Sequence, residues 1–183
     1  MGFSYQKFIT RAEYNELSES QRCLVLLKAV VLPNDKAAAI AQQSGLTHLD
    51  SPQLADFSQQ SYFKDCVERA AAACTSFTTD NNGFSAVAES SADRLIFFSV
   101  PYESGWSATV NGQPAEIEKV NVGFMAVKVP AGEAQIRFNY ETPGLKIGIL
   151  ISIAGFLILG VYVFRSRQRK RWIKQQRKLD KGV

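Results

Sequence analysis

The longest uninterrupted apolar stretch in the chain is Gly144–Phe164, GLKIGILISIAGFLILGVYVF, whose one charge, Lys146, lies near its start. At about 1.5 Å of rise per residue, a helix of this length spans roughly 31 Å, the thickness of a bilayer's hydrocarbon core. A soluble helix so long would carry a polar face, and this one has none. Lys146 can snorkel to the headgroups, and Tyr162 falls where an interfacial aromatic belongs. The pattern predicts a single transmembrane helix.

Upstream, the apolar positions follow shorter periods. Two capping-box patterns, Thr10-x-x-Glu13 and Ser18-x-x-Gln21, predict short helices over Arg11–Leu17 and from Glu19 to about Ala29. Val30–Leu32 reads as a strand ended by Pro33-Asn34-Asp35. Ala37–Ala41 reads as helical, and Asp50-Ser51-Pro52 as a turn or helix start. Phe63, Val67 and Ala70, at a 3–4 spacing, predict a helix over Tyr62–Ala73.

From Cys74 onward the signals are those of short strands. Cys74–Thr79 and Phe84–Ser90 flank Asp80-Asn81-Asn82-Gly83, and Trp106–Val110 and Gln113–Glu118 flank Asn111-Gly112. Both are hairpin signals in which glycine supplies a positive φ. Arg94–Val100 (RLIFFSV) reads as a buried strand; Phe124–Val129 and Glu133–Tyr140 follow, joined through Pro130-Ala131-Gly132. Strands at this spacing argue for an antiparallel β-sandwich or a jelly-roll-like arrangement. The expected fold class is α+β: N-terminal helices over residues 1–73, a β-sandwich-like part over 74–143, a transmembrane helix over 144–164 and a tail over 165–183. No internal repeat or low-complexity linker interrupts this order.

Charge changes the picture at one end only. Nine of the 21 basic residues and one of the 17 acids, Asp180, lie from Arg165 to Val183, leaving twelve basic and sixteen acidic residues upstream. The protein is therefore not basic; its last stretch is. The positive-inside rule predicts a cytoplasmic tail and residues 1–143 outside the cell membrane. The tail is expected to attract anionic lipid at roughly 1 kcal/mol per residue near the surface, with Trp172 dipping into the interface; a nucleic-acid partner is not expected. Export of 143 residues ahead of one helix needs a signal. Neither Met1–Thr10 nor Cys23–Leu32, interrupted by Lys28, has the form of one. Either the domain stays in the cytoplasm and the basic tail is exported against the charge rule, or the chain is a piece of a multi-span protein whose other helices lie upstream, and the second is the expectation.

Three cysteines, Cys23, Cys66 and Cys74, are too few and too irregular for a disulfide framework and read as buried or incidental. Cys66 and Cys74 read as eight apart on one helix, a poor geometry for a bond. His48 is the only histidine, without neighbours at ligand spacing, so no metal site is expected. No Gly-rich phosphate loop, HExxH or CxxC is present, and no cofactor is expected.

Several stretches carry a resemblance. GFSYQKFIT with LLKAVVL, NNGFSAVAES, FFSVPYESGWSATVNGQPAEIEKVN, GFMAVKVPAG and FNYETPGLKIGILISI resemble the C-terminal part of the YfhO family of bacterial multi-span membrane proteins. The likeness covers nearly the whole chain, is most specific over Pro101–Gly132 with Phe138–Gly144, and is weakest over residues 34–60. It implies a glycosyltransferase-C-like protein that transfers sugar outside the membrane from a polyprenyl-phosphate donor. The implied process is glycosylation of a cell-envelope polymer such as lipoteichoic acid. In that superfamily the catalytic acid lies in the first extracytoplasmic loop, upstream of everything matched here, so the resemblance implies no catalytic residue in this chain. The implied partners are the bilayer, the missing upstream helices and a polyprenyl-phosphate sugar or teichoic-acid-type glycan. The alternative is a stand-alone membrane-anchored module that binds glycan or is purely structural.

The residues that suit carbohydrate contact are Trp106, Tyr102, Phe124 and Asn121. A structural reading stands beside each and weighs more: Trp106 as a core anchor, Asn121 as a turn residue before Val122-Gly123. Glu116 and Glu118 alternate with Ile117 on one predicted strand and read as its wet face rather than as an acid–base pair. Only Glu141-Thr142-Pro143-Gly144 separates the last strand from the apolar helix. The β-domain is therefore expected close to the membrane surface, a placement that suits a lid or platform over an embedded active site.

Overall fold

The computed structural model describes residues 2–179, with side chains described through residue 169. The chain divides into two units between Glu141 and Thr142. The first unit opens with β1 (Gly2–Ser4), β2 (Lys7–Thr10), α1 (Arg11–Glu16), α2 (Glu19–Lys28), β3 (Val30–Leu32), α3 (Ala37–Gln43), β4 (Thr47–His48) and α4 (Gln59–Ala71). It continues with β5 (Ser76–Asp80), β6 (Gly83–Ser90), β7 (Arg94–Pro101), β8 (Trp106–Val110), β9 (Gln113–Ala115), β10 (Ile117–Val120), β11 (Phe124–Val129) and β12 (Gly132–Tyr140). Both capping boxes form reciprocally: each Thr10 or Ser18 oxygen accepts from the backbone three residues on, and Glu13 or Gln21 accepts in return.

Two antiparallel sheets, ordered β1-β7-β11-β10 and β5-β6-β12-β8-β9, face each other across one apolar core. Ile96 and Phe98 of β7 and Met125 and Val127 of β11 meet Phe84, Ala108, Ile136 and Phe138 from the opposite sheet. The other face of the four-stranded sheet is covered as well. Leu95, Phe97, Val120 and Ala126 pack under Val30, Leu32, Ile40 and Ala41, from a small parallel sheet, β3-β2-β4, and from α3. A third cluster, with Ile9, Val25, Ala29 and Val31, joins that parallel sheet to α2. Burial on both faces explains RLIFFSV: a strand without a wet side reads as a continuous apolar run, not an alternation.

Four features depart from the sequence pattern. Besides the expected strand β3, residues 1–73 supply three more, β1, β2 and β4, and β1 is an edge strand of the sandwich, paired with β7. These three, of two to four residues, are too short to show a period of two. The predicted strand Gln113–Glu118 is two: β9 pairs with β8 in one sheet, and β10 with β11 in the other. Pro114 has no N–H to give, which suits β9 to a sheet edge. Ala115 and Ile117, on either side of Glu116, both pack on the sandwich core as the chain crosses between sheets.

The helix α4 faces the opposite way from its apolar stripe. Phe63 and Val67 are 58% and 69% exposed, whereas Arg69 is buried, its guanidinium bonded to the Ser4 carbonyl and 5.1 Å from the Tyr5 ring centroid. Polar partners hold this helix: Lys28 Nζ lies 2.6 Å from both Ser61 Oγ and Asp65 Oδ2. Because α4 ends at Ala71, Cys66 and Cys74 do not share a helix; all three thiols are free, and Cys23 is exposed.

Asn111 and Gly112 take φ of 52° and 77°, both central residues in the left-handed region as a tight hairpin turn requires. At Gly83 a side chain would collide with the Phe138 backbone carbonyl across the β6–β12 ladder, so only glycine fits.

The second unit is α5 (Leu145–Leu179). Its segment Leu145–Arg169 is long and apolar enough to cross a membrane, judged by length and composition. The helix runs on through most of the stretch read as a tail, where residues 161–179 contain neither glycine nor proline to stop it. Trp172 lies outside the described side chains.

Candidate functional site

An open cleft of about 570 Å³ lies on the first unit, lined by Pro33, Asp35 and Lys36, by Tyr102 and Trp106–Ala108, and by residues 114–119. Its parts come from well-separated stretches of chain. Pro33–Lys36 is the turn between β3 and α3; Tyr102 follows β7; Trp106 opens β8; Glu116 is the crossing point between sheets. Tyr102 is fixed by its N–H, which donates to Gly123 O at 2.8 Å, and its ring carries Lys119 Nζ at 5.7 Å from the centroid. Trp106 rests on a shelf of aromatic rings, 5.0 Å from Tyr140, 5.6 Å from Phe84 and 6.2 Å from Phe138. It anchors the core and lines the cleft at once.

Of the four residues singled out from sequence, the fold brings Tyr102 and Trp106 into this cleft and leaves the other two out of its lining. Phe124 packs with the second core cluster, 5.7 Å from the Phe97 ring. Asn121 is 4% exposed; its Oδ1 accepts from Val31 N at 2.7 Å and its Nδ2 donates to Tyr5 Oη at 3.2 Å. A side chain enclosed and bonded on both ends is a bracket in the fold, so a sugar contact by Asn121 does not survive the structure.

Glu118 is the residue that sequence reasoning misplaced. It is 3% exposed, not part of a wet face, and stands 3.4 Å from Lys128 Nζ and 3.8 Å from Lys36 Nζ. The face of β10 it shares with Val120 is the one covered by the second core cluster. Glu116 does face solvent and pairs with Lys36 at 2.9 Å. That hydrogen bond lowers the Glu116 carboxyl below its ordinary value and raises the Lys36 ammonium above its own.

His48 has the carboxylate neighbours that spacing did not show. Its Nδ1 lies 2.8 Å from Asp50 Oδ1 and its Nε2 2.9 Å from Glu13 Oε1. Hydrogen bonds to Asp50 and Glu13 raise the imidazole above its ordinary 6.5. For Glu13, burial alone would raise the carboxyl, but bonds from the Thr10 backbone and hydroxyl and from His48 hold it below its ordinary 4.5. The signs define a window. The His48 contribution is full below 6.5 and is lost as pH rises through the raised value; that of Glu13 is present above 4.5 and is lost as pH falls. Thermal unfolding is therefore expected to show a higher midpoint at pH 5.5 than at pH 8.5, by a difference worth less than about 1 kcal/mol because the pair is half-exposed. His48→Gln should flatten the alkaline side; an unchanged profile would show that the cluster does not couple to folding.

A folded αβ unit joined to one apolar helix of membrane-spanning length defines a membrane-anchored domain protein. The chain belongs to the YfhO family: the model described as bacterial membrane protein YfhO matches residues 34–152, which hold all of the cleft except Pro33. The match takes in residues 34–60, where the sequence likeness looked weakest, and leaves out the first 33. The uncharacterized protein YfhO of Bacillus subtilis (strain 168) is 34% identical over 77 residues, 42% of this chain. The chain covers 9% of that relative's length. No solved structure matches.

Proposed function

We propose that residues 1–141 are the glycan-binding part of a YfhO-family membrane protein, serving glycosylation of a cell-envelope polymer of the lipoteichoic-acid type. The catalytic groups would be carried elsewhere in such a protein. The observation that carries this reading is the cleft, whose lining combines two aromatic side chains, Tyr102 and Trp106, with charged groups at 35–36 and 116–119. Sugar rings offer an apolar face and a rim of hydroxyls, and an open cleft of this volume, with two aromatic side chains among charged and hydroxyl groups, has surfaces for both and the size for one or two rings.

Tyr102 provides the clean test, because it is 38% exposed while Trp106 also supports the core. Tyr102→Ala is expected to weaken binding of envelope oligosaccharides to the full chain in nanodiscs by about tenfold, with the unfolding midpoint unchanged. Equal binding by both proteins would end the assignment of the cleft.

The orientation proposed is the one the basic stretch favours, with residues 165–183 in the cytoplasm and the cleft outside. Cys23, exposed on α2, is then expected to react with a membrane-impermeant maleimide in intact cells. Labelling only after permeabilisation would reverse the topology.

A further inference from the structure

The chain makes the same tight turn twice with different chemistry. Asn111 and Gly112 have φ of 52° and 77°; Asn121 and Val122 have φ of 45° and 77°. The first turn has glycine where that backbone favours it. The second has valine, a β-branched residue that takes a positive φ only under strain. Core packing does not account for it, since Val122 is 46% exposed. An outward valine in a turn that suits glycine points to a contact outside the first unit.

The position of this turn in the fold identifies the partner. β7 ends at Pro101 in one sheet and β8 begins at Trp106 in the other, so the short loop between them marks one end of both sheets. Within that loop the Tyr102 N–H donates to Gly123 O at 2.8 Å, and Gly105 O accepts from the Glu141 N–H at 2.9 Å. One loop therefore ties the Val122 turn to the point where the chain leaves the first unit. Only residues 142–144 follow before α5. Even fully extended, the chain reaches roughly 14 Å from Glu141 to Leu145, where the membrane-length apolar segment begins. Covalent reach alone keeps this end of the sheets near the headgroups.

The rest of that end has matching chemistry. Tyr102 and Tyr140 are 38% and 37% exposed. Tyrosine joins an apolar ring to a polar tip, which favours a membrane–water interface. The charges nearby are mixed, with Lys119 over the Tyr102 ring and Glu103 in the loop, so the fitting mode is apolar contact rather than attraction to anionic lipid.

We infer that Val122, with Tyr102 and Tyr140 at the same end of the sheets, forms a foot seated in the headgroup–acyl boundary of the bilayer that holds α5. This contact is independent of what the cleft binds and of which side of the membrane the first unit occupies.

The test places the photocrosslinker p-benzoylphenylalanine at one position at a time in the full chain, in nanodiscs of zwitterionic lipid, and reads lipid adducts by mass spectrometry. The positions are Val122, Ala131 and Phe63. Ala131 is exposed just before β12, whose nine residues place it roughly 30 Å from the exit point. Phe63 belongs to the exposed apolar stripe of α4. Adduct formation is expected to be about fivefold or more higher at 122 than at either other position. Equal yields at 122 and 131 would overturn the inference, and a higher yield at 63 would overturn it by moving the contact to α4. Val122→Gly adds a readout that a role confined to the turn would not move. It should raise the unfolding midpoint, because glycine takes this φ without strain. It should also lower the adduct formed by the crosslinker at Tyr140 by about twofold or more. A raised midpoint with an unchanged adduct at 140 would make Val122 a strained turn residue without lipid contact, and the inference would fall.

Discussion

Phe138→Ala is expected to destabilise the first unit by about 3–5 kcal/mol, the cost of removing a fully enclosed phenyl ring. Phe138 is completely buried on β12, the central strand of the five-stranded sheet. Its ring stacks on Phe84 with centroids 4.5 Å apart and meets Phe98 of the opposite sheet edge-on at 5.1 Å. Aromatic neighbours are rigid and cannot flow into the space left behind, so the site collapses poorly and the cavity penalty stays large. Trp106 also leans on this ring, so the variant should loosen one wall of the cleft. Denaturant unfolding followed by near-ultraviolet circular dichroism checks the value. Phe63→Ala, on the exposed stripe of α4, is the control and should shift stability by no more than about 0.5 kcal/mol. If the two variants cost the same, the aromatic core does not hold the two sheets together.

Asn121→Ala is expected to cost about 2–3 kcal/mol, mostly from a buried donor left without an acceptor. Asn121 sits in the turn between β10 and β11 with φ of 45°. Its own N–H donates to Val31 O at 2.9 Å while its Oδ1 takes the Val31 N–H, so it acts as an extra partner along the edge of β3. Truncation strands the Val31 N–H in a fully buried neighbourhood and leaves Tyr5 with the Leu26 carbonyl as its remaining partner. Burial pushes the Tyr5 phenol up to about 12, so this bracket does not titrate near neutral pH. Alanine also tolerates the left-handed backbone less well than asparagine, and Asn121→Gly should recover that part alone, about 1 kcal/mol. The check is a pair of unfolding curves for the two variants. Lost glycan binding with unchanged stability would return Asn121 to the list of ligand contacts.

These two residues also mark the limits of reading the chain without its fold. What could be read were features whose cause is local. A capping box needs only residues three apart, and both formed with the bonds their spacing implies. Asn111-Gly112 makes its turn because few other pairs accept two positive φ values in succession. The apolar stretch after Gly144 is a helix of membrane-crossing length because composition alone decides that. Tyr102 and Trp106 were legible as candidates because aromatic side chains beside turn residues are easy to recognise, though nothing in the spacing joined them to Asp35, Lys36 and Glu116.

What the tertiary structure decided was which faces are covered. Glu118 alternates with its neighbours like a solvent-facing residue, yet α3 and the parallel sheet close over that side of the four-stranded sheet. The stripe of α4 has the period of a core face, yet Arg69, Asp65 and Ser61 turn inward, because the surface offered to that helix is polar: the Ser4 carbonyl, the Tyr5 ring face and Lys28. Parallel pairing of β2 with β3 and β4 joins segments up to 40 residues apart, and of the three only β3 was legible; β2 and β4 are too short to signal themselves. A local pattern records what a residue's own backbone permits; burial depends on which distant segment arrives to cover it, and only the folded chain contains that information.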